Sequence, residues 1–159
     1  SHYICRNIST IISEYPAADY IILEGGANDA DLLLEDEAKI GAISVDYINF
    51  IDTTFFGAME SMFSKVMTAY PTKKIGFIIA PKMAYQGHGY YNTSKYRKYF
   101  DRVIEVCKKW GIPYLDLWYG CHLNPTFDNE TLMYVDLQHL SSSGYEYVTP
   151  IIEAWMKTL

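Results

Sequence analysis

Two short clusters in this sequence hold residue types that could do chemistry together. The first is Asp136-Leu137-Gln138-His139. An aspartate and a histidine three residues apart, in a turn, can bring the carboxylate to the imidazole Nδ1–H. That contact fixes the ring tautomer and leaves Nε2 as the acceptor that a general base needs. The second is Gly25-Gly26-Ala27-Asn28-Asp29. Glycines let the backbone turn tightly there, and the Asn28 amide could donate to a developing oxyanion, an effect worth on the order of 3 kcal/mol in hydrolases. On spacing alone each cluster also reads as an ordinary polar turn, with the histidine touching water and the Asn-Asp pair ending a strand. A metal site built from Asp136, His139, His122 and His88 lacks any recognised ligand spacing, so no metal is expected.

The surrounding elements decide where these clusters sit. Apolar residues at Ile4, Ile8, Ile11, Ile12 and Tyr15 fall on one helical face, predicting a helix from Tyr3 to Tyr15 that Pro16 ends. Asp19 to Glu24 is a short β-branched run, read as a strand buried on both faces, and it stops at Gly25-Gly26. The stretch onward to about Ile51 fits no period. Thr53 or Thr54 then caps a helix with Phe55, Met59, Met62, Phe63, Val66 and Met67 inward, closed by Pro71. Lys74 to Ala80 is a second buried strand. A helix opens at Thr93 or Ser94, turns Tyr96, Tyr99, Phe100, Val103, Cys107 and Trp110 inward, and stops at Gly111. Tyr114 to Leu117 is a third strand, followed by an irregular stretch to Val135. Ser143-Gly144-Tyr145-Glu146 has the form of a capping box and predicts a last helix facing in with Val148, Ile151, Ile152 and Trp155. Strands alternating with helices imply a parallel sheet covered on both faces, in one α/β domain over residues 1–159. In such sheets, function collects in the loops beyond the carboxyl ends of the strands, where both clusters lie.

Composition narrows the classes. Of 159 residues, 50% are hydrophobic and 20% charged, as in a globular protein. A formal charge of −6, with basic residues paired only at Lys73-Lys74 and Lys108-Lys109, argues against a nucleic-acid partner. No apolar run approaches the ~20 residues of a membrane span, and no signal peptide opens the sequence. Ser1-His2 is not a usual start, however, so the compartment stays open. Cys5, Cys107 and Cys121 form neither a zinc motif nor an even disulfide framework, and Cys5 and Cys107 fall on apolar helical faces. The fifteen tyrosines read mainly as half-buried rings with wet hydroxyls.

The order of the clusters carries more than either does alone. Gly26-Ala27-Asn28-Asp29 directly after a strand, then Asp136-Leu137-Gln138-His139-Leu140-Ser141 before the last helix, resembles the SGNH, or GDSL-like, ester hydrolases. The resemblance spans about residues 15 to 155 and includes the run Asp19 to Gly25. It implies a three-layer αβα, flavodoxin-like fold, and no cofactor. It also implies Asp136 and His139 as triad acid and base and Asn28 as oxyanion donor, with Gly26 and Asp29 supporting that loop. The family's Gly-Asp-Ser nucleophile block is absent, as is the block supplying a glycine N–H. Ser141, Ser142 and Ser143 follow His139 too closely to serve and are read as helix caps. The expectation is therefore a hydrolase whose serine and first strand lie upstream of this sequence. Without that strand, Asp19 to Glu24 becomes an exposed sheet edge. Tyr85, His88 and Tyr90, in a loop rich in Tyr, Gly and His, are the expected substrate-lining residues and suggest a carbohydrate ester. The competing expectations are a catalytically inactive module of the same fold binding glycans, and an unrelated flavodoxin-like domain in which both clusters are coincidental turns.

Overall fold

A computed structural model describes residues 2–27, 29–30, 37–84, 93–125 and 130–159. Helix α1 (His2–Glu14) leads into strand β1 (Tyr20–Glu24), then come α2 (Glu37–Ile40), α3 (Phe55–Ala69) and β2 (Lys74–Ile79). Helix α4 (Thr93–Trp110), β3 (Tyr114–Asp116), the short α5 (Leu117–Gly120) and α6 (Glu130–Met133), and α7 (Ser142–Met156) complete the order. The predicted alternation of strands and long helices is the one observed.

The strands form a parallel sheet in the order β1-β2-β3, with Tyr20 opposite Lys74 and Phe77 opposite Tyr114. Strand side chains alternate between faces, and two separate cores result. Phe77 and Ile79 of β2, with Ile21, Leu23 and Tyr114, join a large core built from α1, α3 and α4. Ile78, with Ile22 and Leu115, joins a smaller one built from α5, the turn around Tyr134–Leu140, and α7. The fold is thus three-layered, with helices on both faces of a parallel sheet. Strand β1 corrects one expectation. It is not buried on both faces: Tyr20 and Glu24 are exposed and the three residues between them half-buried, because β1 pairs only with β2 among the described strands.

Local chemistry sets the helix ends. The Thr54 hydroxyl accepts the Gly57 N–H at 3.2 Å and caps α3, a contact worth about 1 kcal/mol. Helix α4 ends with the Ile112 N–H reaching back to the Cys107 carbonyl at 2.9 Å. For α7 the predicted capping box does not form. Ser141, not Ser143, is the cap, its hydroxyl accepting the Gly144 N–H at 3.1 Å and donating to the Leu132 carbonyl at 2.6 Å.

The inward-facing residues predicted for α3 and α4 are buried except Met67, while Ile151, Ile152 and Trp155 of α7 are only half-buried. Gly76 explains how α7 approaches the sheet at all: any side chain there would collide with the Trp155 ring. The segment 41–51, part of the stretch that fits no period, is held by a polar clasp. Glu60, 0% exposed, pairs with Lys109, receives the Ser44 N–H at 2.9 Å and lies 3.3 Å from the Trp110 indole nitrogen. Lys109 also donates to the Ser44 and Asp46 carbonyls at 2.7 Å each. Such a pair tolerates burial only because its polar atoms have partners.

Candidate active site at the carboxyl edge of the sheet

Three parallel strands end at one edge, so whatever follows β1, β2 and β3 shares that edge. After β1 comes Gly26, at φ +117° and with Tyr99 packed where a side chain would begin, so both its conformation and its surroundings require glycine. The Gly26 carbonyl accepts the Ala30 N–H at 3.0 Å, closing a helical turn, and Asp29 is buried within it. Asn28 lies outside the described residues.

After β2 the chain continues through Pro81 to Ala84, and two hydrogen bonds tie this segment to the other cluster. The Tyr134 hydroxyl donates to the Lys82 carbonyl at 2.6 Å, and the Ala84 N–H donates to the Leu137 carbonyl at 3.0 Å. The Asp136–His139 turn is therefore pinned beside the end of the central strand. Tyr134 and Leu140 form an antiparallel bridge at its base, and the Val135 N–H donates to the His139 carbonyl at 2.8 Å.

Within the turn, Asp136 Oδ1 accepts the backbone N–H groups of Gln138 at 3.2 Å and His139 at 2.8 Å. Its other oxygen, Oδ2, lies 2.8 Å from His139 Nδ1. The side chains of both residues face solvent, 53% and 67% exposed. Burial pushes the Asp136 carboxyl up, but the two backbone N–H groups, the imidazole and its charge outweigh it and hold the group below the usual carboxylate value. An ionised Asp136 is an acceptor only, so it draws Nδ1–H and leaves the Nε2 lone pair outward. Geometrically the pair can orient and operate a general base.

The third strand end holds a group that sequence reasoning missed. Asp116 caps α5 through the Trp118 N–H at 3.1 Å and takes two bonds from Arg97 Nη1, at 2.8 and 3.1 Å. Arg97 also pairs with Asp101 at 2.6 Å and stacks over the Tyr119 ring at 4.6 Å. The Arg97/Asp101 spacing of four on a helix was a visible signal for half of this group. Its structure is that of a strut holding α4 to the end of β3.

Other anticipated residues fall elsewhere. Tyr85, His88 and Tyr90 lie outside the described residues. His122 is exposed just beyond α5. Among the described residues, no group of three or more His, Cys, Asp or Glu side chains is placed to hold a metal ion, and no helix is long and apolar enough to cross a membrane. Cys107 and Cys121 are buried free thiols, and burial pushes the Cys107 thiol up to about 12.

No known family matches the sequence, and no curated protein does. Solved structures do match. A Lactobacillus plantarum protein shares the fold at a TM-score of 0.72 and 21% identity, over 95% of this chain and 72% of its own. A Bacteroides uniformis protein described as a GDSL-like lipase matches at 0.63 and 19%, over 99% and 61%. An acetyl xylan esterase matches at 0.64 and 12%, over 97% and 75%. The fold anticipated from the two clusters, that of the GDSL-like hydrolases, is the fold found, and this chain spans part of the length of each of these structures.

Proposed function

We propose that this chain is the base-and-acid portion of a carboxylic-ester hydrolase of the GDSL-like kind. The observation that carries the reading is the Asp136–His139 Nδ1 contact of 2.8 Å at the carboxyl edge of a sheet built like those of a GDSL-like lipase and an acetyl xylan esterase. In this reading a serine from a segment upstream of Ser1 attacks the ester carbonyl. His139 Nε2 takes the serine proton, and Asp136 orients and stabilises the imidazolium. Asn28 and backbone N–H groups of the Gly26–Asp29 turn hold the oxyanion. His139 then returns the proton to the leaving alcohol, and water repeats the sequence on the acyl-enzyme. None of these steps calls for a cofactor.

Two features support an upstream contribution. The outer edge of β1 has no strand partner among those described, and an unpaired edge is what an added strand would cover. The Ser141 hydroxyl is already engaged by Gly144 and Leu132, so it is not free to attack. In this account residues 1–159 form one structural unit. The substrate is a carbohydrate ester such as an acetylated polysaccharide, with Tyr85, His88 and Tyr90 against it. A second reading is an inactive module of the same fold that binds glycans, and the tyrosine-rich run Tyr85-Gln86-Gly87-His88-Gly89-Tyr90-Tyr91 is the feature that speaks for it.

Hydrolysis of p-nitrophenyl acetate by the complete protein encoded by the parent reading frame separates the two. His139→Ala should lower kcat by roughly 10³-fold or more with the fold intact. An unchanged rate would sink the triad reading.

A further inference from the structure

Leu137 sits between the two polar side chains of the turn and resembles neither. Asp136 and His139 face water, whereas Leu137 is 3% exposed. Its backbone is left-handed, at φ +66°. A residue with a Cβ held there costs roughly 1–2 kcal/mol, and such strain persists only where the surroundings over-determine it. Here they do. The side chain is buried, and the Leu137 carbonyl receives the Ala84 N–H at 3.0 Å. The left-handed step has a local result. It folds the chain back so that the next two amides, of Gln138 and His139, converge on Asp136 Oδ1 and the imidazole meets the same carboxylate.

We propose that Leu137 is a positioning residue: its buried side chain and its hydrogen-bonded left-handed backbone lock the turn in which Asp136 selects the Nδ1–H tautomer of His139. The use of that tautomer in catalysis rests on the hydrolase reading above, but the lock itself does not. An isolated surface pair of this kind contributes little by itself, so its register depends on the backbone that carries it.

The test reads the tautomer directly, by ¹⁵N NMR of the imidazole in the 159-residue chain at a pH where His139 is neutral. In the unaltered chain Nδ1–H should dominate. Leu137→Gly keeps the φ value without its penalty but removes the anchor, and should roughly halve the Nδ1–H fraction. Leu137→Met, which restores an apolar side chain of similar volume, should recover it. Leu140→Ala, at the base of the same turn, lowers stability but should leave the tautomer alone. An unchanged tautomer in Leu137→Gly overturns the proposal. If that variant does not fold, Leu137→Asn, whose side chain tolerates the same φ, provides the same readout. In the complete hydrolase, Leu137→Gly should lower kcat about tenfold or more with KM little changed. A shifted tautomer with an unchanged kcat would leave the positioning role standing and remove the hydrolase reading.

Discussion

The two faces of the sheet are built to different standards. On one, α1, α3 and α4 enclose a core with a run of touching rings, from Phe55 to Tyr99 at 4.5 Å, Tyr99 to Phe100 at 6.0 Å and Phe100 to Trp118 at 5.7 Å. On the other, α7 is the one long helix among the described residues, and of its inward residues Val148 is buried while Ile151, Ile152 and Trp155 stay half-buried. The candidate site belongs to this thinner side, since Tyr134 and Leu140 at the base of its turn are core members there. Close packing carries stability and resists change. A turn that presents two solvated side chains is better placed where less is packed against it. The teaching is one of separation: stability resides mainly on one face, and the groups that could react are fixed to the other by a few directed contacts.

This contrast can be broken by experiment. The largest effect should come from Phe63→Ala in the thick core. Phe63 is fully buried, and its truncation should cost about 3–5 kcal/mol in chemical denaturation. Ile151→Ala on the thin side, half-buried at the outset, should cost under about 1.5 kcal/mol by the same area argument. Equal losses would show that the faces do not differ.

Next is the clasp beneath the thick face. Glu60→Ala leaves Lys109 without its buried partner and should cost about 3 kcal/mol, whereas the double change Glu60→Leu with Lys109→Met should recover most of that. If single and double changes behave alike, the pair is not an ion pair in solution. Hydrogen exchange gives a finer comparison. Amides of α7 should exchange through openings of lower free energy than those of α3 and α4, and uniform protection would contradict the asymmetry.

The smallest effect is a pH dependence. Hydrogen bonds from the Asn49 side chain, the Asn49 N–H and the Ile48 N–H hold Asp46 down to about 2. A carboxyl depressed in the folded state stabilises it above the unfolded value of about 3.9, and that contribution is lost as pH falls through the folded value. Stability should therefore decline between about pH 4 and 2, and Asp46→Asn should flatten that part of the curve. Asp136, also depressed, should add to the decline from the other face.

What was legible in the sequence follows the range of the interaction that sets each feature. The run Lys74 to Ala80 reads as a buried strand and is one, since it lies between two others. The run Asp19 to Glu24 looks alike, yet its middle residues are only half-buried. Apolar composition reports a capacity for burial, not the presence of a neighbour. The Asp136–His139 contact was visible because three residues span it. Leu137 was not, because leucine carries no preference for the conformation it adopts there, and only the Ala84 amide and the burial of its side chain explain it. Segment 41–51 was opaque for a related reason. Part of its order comes from Lys109, which lies far along the chain from it. The choice of Ser141 over Ser143 as the cap likewise depends on a distant acceptor, the Leu132 carbonyl.

The contact between Gly76 and Trp155 has a practical side. Of the three tryptophans, Trp110 and Trp118 belong to the thick core, while Trp155 lies half-buried on the thin one. Each face thus carries its own intrinsic fluorophore. A dissolved quencher such as acrylamide should reach Trp155 first, so its emission would report the seating of α7 while the other two indoles stay shielded. A chain reduced to Trp155 alone, by replacing the other two with phenylalanine, would turn the seating of α7 on the thinner face into a lifetime that can be followed as pH is changed.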